Sequence, residues 1–93
     1  MPPPTPQHVP LGQTVATPAA LGVLSQTDIV AALRRHAAGD WGEVDDEDRA
    51  ANDDALRTDG RLLSVYRAAN GTTFWVITEA DRSVTTLLLP EDY

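Results

Sequence analysis

The sequence predicts an α+β fold: a three- to four-stranded antiparallel meander with two or three short helices packed on one face. Two observations carry this. Between residues 25 and 60 apolar positions recur at helical spacing between start and stop signals, and from Arg61 onward the period changes to two. Within that second half, Asn70-Gly71 separates two apolar runs, a strong hairpin signal because both residues tolerate positive φ. With 93 residues and no cysteine the chain makes one small domain whose stability rests on packing alone.

Residues 1–10 are proline-rich and aperiodic, so a disordered tail is expected there and a single domain over 11–93. The run Leu11-Gly12-Gln13-Thr14-Val15-Ala16 reads as a short strand that joins the sheet. Pro18 then ends it or opens a helical turn at its first position. Ser25-Gln26-Thr27-Asp28 places an acid three residues after a hydroxyl, a helix-start pattern. Ile29, Leu33, His36 and Ala37 follow at helical spacing, and Gly39 supplies the stop. A second helix begins near Asp45, where Asp46, Glu47 and Asp48 complement the positive end of the helix dipole, and Asp59-Gly60 ends it.

A two-residue loop at Asn70-Gly71 sets Tyr66 opposite Trp75, Val65 opposite Val76 and Leu63 opposite Thr78. A second reversal at Ala80-Asp81-Arg82-Ser83 sets Val76 opposite Leu87 and Trp75 opposite Leu88. Pro90 ends the last strand because it has no N–H to donate. On this register one face holds Leu63, Val65, Phe74, Val76, Leu87 and Leu89, the expected helix-packed core. The other holds Leu62, Tyr66, Trp75, Ile77, Val84 and Leu88. Both faces are apolar, whereas a sheet with one wet face alternates. The face carrying Tyr66, Trp75, Ile77 and Leu88 is therefore the candidate partner or dimer surface, the alternative being that the N-terminal segment and the Trp41 loop cover it internally. Trp41 itself reads first as a plug that pins the inter-helix loop to the sheet and second as an exposed recognition residue of that surface.

Composition removes several chemistries. All seven cationic residues are arginines, which excludes Schiff-base lysines and phosphate-loop lysines. A net charge of −7 argues against unaided binding to nucleic acid, whose affinity comes mainly from cations displacing counterions. No apolar run approaches the roughly 20 residues of a membrane span, and no basic or hydrophobic leader opens the chain, so a cytoplasmic location is expected.

No cofactor fingerprint, metal-ligand spacing or catalytic motif stands out. The acidic run Asp45, Asp46, Glu47 and Asp48 lacks the alternating ligands and central glycine of a calcium loop. It reads first as helix capping and second as a charge display resembling DNA. Glu79 and Asp81 flank a turn, where turn chemistry accounts for Asp81. His36 falls among apolar helix positions as a hydrogen-bonded core histidine.

The segments Gly39-Asp40-Trp41-Gly42, Gly60-Arg61-Leu62-Leu63-Ser64-Val65-Tyr66, and residues 78–86 through Pro90-Glu91-Asp92-Tyr93 resemble a family of small bacterial proteins carried on plasmids and integrated mobile elements. The resemblance covers roughly residues 11–93. Members are sometimes labelled as restriction-modification subunits. This chain has neither the glycine-rich S-adenosylmethionine loop nor the Asn-Pro-Pro-type motif of a methyltransferase, so that label does not transfer, and no functional residues come with the resemblance. The resemblance supplies the mobile-element context, while the second apolar sheet face, the acidic surface and the missing catalytic chemistry favour a non-enzymatic binding or regulatory protein acting through contacts with a protein partner or a second copy. The alternatives are an acidic DNA-mimic inhibitor of a defence nuclease and a small enzyme using Glu79, Asp81 or His36.

Overall fold

Each helix begins where a side-chain oxygen can satisfy a free N–H of its first turn, and the computed structural model, which describes residues 9–93, has such a cap at all three. After β1 (Gln13–Ala16), Thr17 caps α1 (Pro18–Val23), with proline at the first helical position. Ser25 caps α2 (Gln26–Ala37) by accepting from the Asp28 N–H. Asp45 caps α3 (Asp46–Thr58) in the same way through Asp48. At its other end Asp59 turns left-handed, at φ 57°, and Arg82 donates to the Ala55 and Gly60 carbonyls, setting a cation at the negative end of the helix. The remaining elements are β2 (Leu62–Arg67), β3 (Thr73–Thr78), β4 (Val84–Leu88) and a closing 3-10 turn over Pro90–Asp92. Among the described residues, no helix is long and apolar enough to cross a membrane.

The fold is α+β, with a four-stranded sheet in the order β1-β4-β3-β2. β2, β3 and β4 form the expected antiparallel meander, but β1 joins beside β4 in parallel, so the sheet is mixed rather than antiparallel. The β3–β4 register agrees with the sequence reading: Val76 lies opposite Leu87 and Trp75 opposite Leu88.

The β2–β3 register differs by one residue. Val65 faces Trp75, Tyr66 faces Phe74 and Leu63 faces Ile77. The cause is the turn. Ala68 donates to the Thr72 carbonyl and Gly71 donates back to Ala68, which encloses three residues, Ala69 to Gly71, instead of two. Only Gly71 has positive φ, at 89°, while Asn70 does not, so the loop is a tight turn closed by a left-handed glycine. Because side chains alternate, this slip moves the whole of β2 to the opposite face.

The helix-side core therefore holds Phe74, Val76, Leu87 and Leu89 as expected, joined by Tyr66, Ala20, Leu24 and Ala32. Leu63 and Val65 are corrected out of it to the other face, and Tyr66, 2% exposed, is corrected into it. A second cluster forms where α3 meets β2, from Trp41, Val44, Ala55, Leu62 and Val9. Val9 is buried there and donates to the Ala37 carbonyl, so the expected tail is anchored one residue before Pro10. The rest of the expected tail, residues 1–8, lies outside the described residues.

Trp41 takes the plug reading and is corrected out of the partner surface: it is 3% exposed, packs edge-on to His36 and donates its indole N–H to Asp53. Its loop closes one edge of the sheet. Val65 donates to the Trp41 carbonyl at 3.0 Å and Glu43 donates to the Val65 carbonyl at 2.7 Å, a strand-like pairing along β2. Gly42 permits it, because a Cβ there would collide with the Val65 carbonyl oxygen. One step along, the Asn52 side chain accepts from the Leu63 N–H at 3.0 Å and donates to the Leu63 carbonyl at 2.7 Å. The outward backbone groups of Leu63 and Val65 are thus satisfied without a further strand.

Candidate functional site

The side chains on the helix-free face follow from period two and the observed pairings. One row across the sheet is Val65, Trp75 and Leu88; the next is Leu63, Ile77, Thr86 and Val15. Pro90 stops β4, and the 3-10 turn after it brings Tyr93 back over this face. The Tyr93 ring meets Trp75 edge-on at 5.5 Å between centroids. Arg61 completes the rim: it donates to the Tyr93 hydroxyl at 3.1 Å, pairs with Glu79 at 3.4 Å, and lies 5.7 Å from the Tyr93 ring centre. The Tyr93 hydroxyl and the Glu79 carboxylate hold the Arg61 guanidinium protonated above its ordinary range. Together Arg61, Leu63, Trp75, Ile77 and Tyr93 line a cleft of about 230 Å³.

Of the residues predicted for a partner surface, Trp75, Ile77 and Leu88 come together on this face, Trp75 half-buried and Ile77 and Leu88 buried at 5% and 7% exposure, while Tyr66 and Trp41 are buried elsewhere. The sequence reading missed Leu63 and Val65 because of the loop length, and Arg61 and Tyr93 because both lie outside the strands. The signal for the first pair is the turn itself: Asn-Gly suits a three-residue loop as well as a two-residue one.

On the opposite face His36 anchors a buried polar chain. Its ring nitrogens lie 2.5 Å from Ser64 Oγ (Nδ1) and 2.8 Å from Thr78 Oγ1 (Nε2). Thr78 Oγ1 is 2.7 Å from Thr85 Oγ1, which in turn donates to the Leu11 carbonyl at 2.7 Å. A carbonyl only accepts, so Thr85 gives its one proton to Leu11. Thr78 must then donate to Thr85, which leaves His36 Nε2–H as donor to Thr78. In the neutral ring Nδ1 accepts from Ser64. Burial, and secondarily the positive charge of Arg82, lower the His36 pKa from 6.5 to about 4. Ser64 and His36 have the contact of a nucleophile and its base, but both are fully buried and the other ring nitrogen of His36 meets the Thr78 hydroxyl, not a carboxylate.

The other titratable candidates stand apart from one another. Glu79 pairs with Arg61 at the cleft rim, and Asp81 accepts from the Ser83 N–H and hydroxyl within its own turn, which holds its carboxyl below the usual range. Asp45 is occupied in capping α3, and Asp46, Glu47 and Asp48 are exposed along its first turn. Among the described residues no three His, Cys, Asp or Glu side chains converge as metal ligands would. Comparison of the chain with protein-family models, with curated proteins and with solved structures found no match.

Proposed function

We propose that this chain is a non-enzymatic binding protein that engages a protein partner through the helix-free face of its sheet. The observation that carries the reading is the cleft between Trp75, Tyr93, Leu63 and Ile77, with Arg61 at its rim. Aromatic and arginine side chains around an apolar centre are the composition of binding hot spots. The matching partner element is a segment that inserts an apolar or aromatic side chain between Trp75 and Tyr93 and brings a carboxylate toward Arg61. Glu79 already neutralises part of that guanidinium, so the apolar insertion supplies most of the affinity and the charge sets orientation.

The resemblance to proteins of plasmids and integrated elements makes regulation of such an element, in a bacterial cytoplasm, the setting of this reading. A partner captured from the native host by the wild-type chain is expected to be lost with Trp75→Glu and with Leu63→Glu. It is expected to remain with Asp46→Lys and Glu47→Lys. Loss with the lysine variants alone, together with steep salt dependence, would support the DNA-mimic reading instead. Retention by all four variants would move the site elsewhere.

A further inference from the structure

The two edges of the sheet are treated differently. The β2 edge is closed by the Trp41 loop and by Asn52, whereas β1 presents its outer edge without a neighbour among the described residues. Gln13 donates to the Ser83 carbonyl and Thr17 to the Leu87 carbonyl, with Val15 between them in the parallel ladder. Alternation therefore turns the N–H and C=O groups of Thr14 and Ala16 outward. Monomeric proteins blunt such an edge with charge, an in-strand proline, a bulge or a cover. The strand Gln-Thr-Val-Ala has no charge and no proline within it.

The surroundings match. No acidic, lysine or arginine side chain precedes Asp28, so all the charge of this net −7 chain lies in residues 28–93. Of the five exposed large hydrophobics among the described residues, four fall between positions 15 and 30: Val15, Leu21, Val23 and Val30. Leu21, 58% exposed, borders a groove of about 320 Å³ beside β1, with Ile29, Leu33, Thr14 and Ala16. Two molecules of the same net charge meet the least repulsion where their facing strands carry no charge, and the strand β1 carries none.

We propose that the β1 edge is a self-pairing surface: a second copy of the chain adds its own β1 in antiparallel fashion, joining two sheets into one. The two-fold axis passes at Val15. Thr14 of each copy exchanges backbone hydrogen bonds with Ala16 of the other, and the two Val15 side chains meet on the helix-free face. Thr14, Ala16 and the Leu21 groove meet their counterparts on the helix side. The carboxylate beside this edge is Asp92, which accepts from Thr17. The pairing brings the neutral Gln13 of the second copy opposite Thr17, so no like charge meets it. The seam lies at the far edge of the sheet from the β2 side of the Trp75 cleft and is independent of that cleft's role.

Sedimentation equilibrium of the full chain over a concentration series tests this. The wild type is expected to dimerise. Val15→Lys sets like charges directly opposite each other and weakens the dimer by about tenfold or more. Ala16→Pro removes one seam donor per copy and no bond to β4, weakening it by about thirtyfold. Both variants should keep the wild-type circular dichroism. Amide exchange gives a readout without substitution: the Thr14 and Ala16 N–H groups are slow at high concentration and become fast on dilution. A wild type that stays monomeric, a dimer that survives both substitutions, or Thr14 and Ala16 amides that exchange at the same rate at every concentration would each overturn the proposal.

Discussion

His36 shows how a single residue can make a buried core both specific and sensitive to acid. Its neutral ring completes a hydroxyl chain to the Leu11 carbonyl and leaves no buried polar side-chain atom without a partner among the described residues. With a folded pKa of about 4 against an ordinary 6.5, the unfolded chain takes up the proton first as pH falls. Stability is therefore full above about pH 6.5 and declines toward pH 4, by about 3 kcal/mol in all. Denaturant titrations at pH 7 and pH 4.5 should show this loss, and His36→Gln should remove most of the difference between them. Burial also separates Phe74 from Leu63, which the sequence reading assigned to one core. Phe74, 1% exposed, should cost about 3–5 kcal/mol on truncation to alanine, whereas the half-buried Leu63 should cost about 1 kcal/mol. Equilibrium unfolding of the two variants checks the order. His36 as a hydrogen-bonded core residue was legible from its helical spacing. Its partners were not, because Ser64, Thr78 and Thr85 converge only once the register is known.

At the scale of elements, helices and strands were legible because their signals are local. Ser25, Asp45 and Pro18 start helices where the sequence places them, and the β3–β4 pairing follows from a turn read correctly. Two features escaped because they depend on one residue or on distant contacts. The loop at Asn70-Gly71 accepts two backbone solutions that differ by one residue, and that residue exchanges the faces of β2. β1 runs parallel to β4 with its start bonded to the β3–β4 turn through Gln13 and Ser83, and a four-residue strand carries no sign of its direction. The closed β2 edge makes its own prediction. Gly42→Ala sets a methyl group against the Val65 carbonyl at a φ of 73°, so the Trp41 loop must detach or β2 must shift. A loss of about 3 kcal/mol or more is expected, with a rise in Trp41 fluorescence accessibility to a quencher.

For the whole molecule, charge, edges and faces divide the surface. The charged residues lie in residues 28–93, one sheet edge is sealed, and the helices cover the face that carries Phe74 and Val76. Two apolar faces on one sheet were legible from the sequence. Which side chains each face shows was not, and Trp75, Ile77 and Leu88 kept their place only because β3 and β4 kept their register. The proposed function requires Trp75 to stand at a surface and not in a second core. Equilibrium unfolding of purified Trp75→Glu tests it most directly. A folded chain with the wild-type far-UV spectrum is expected, with a loss within about 2 kcal/mol, the worth of the Val65, Leu88 and Tyr93 contacts. An unfolded Trp75→Glu chain would place Trp75 in the core and contradict the proposed function.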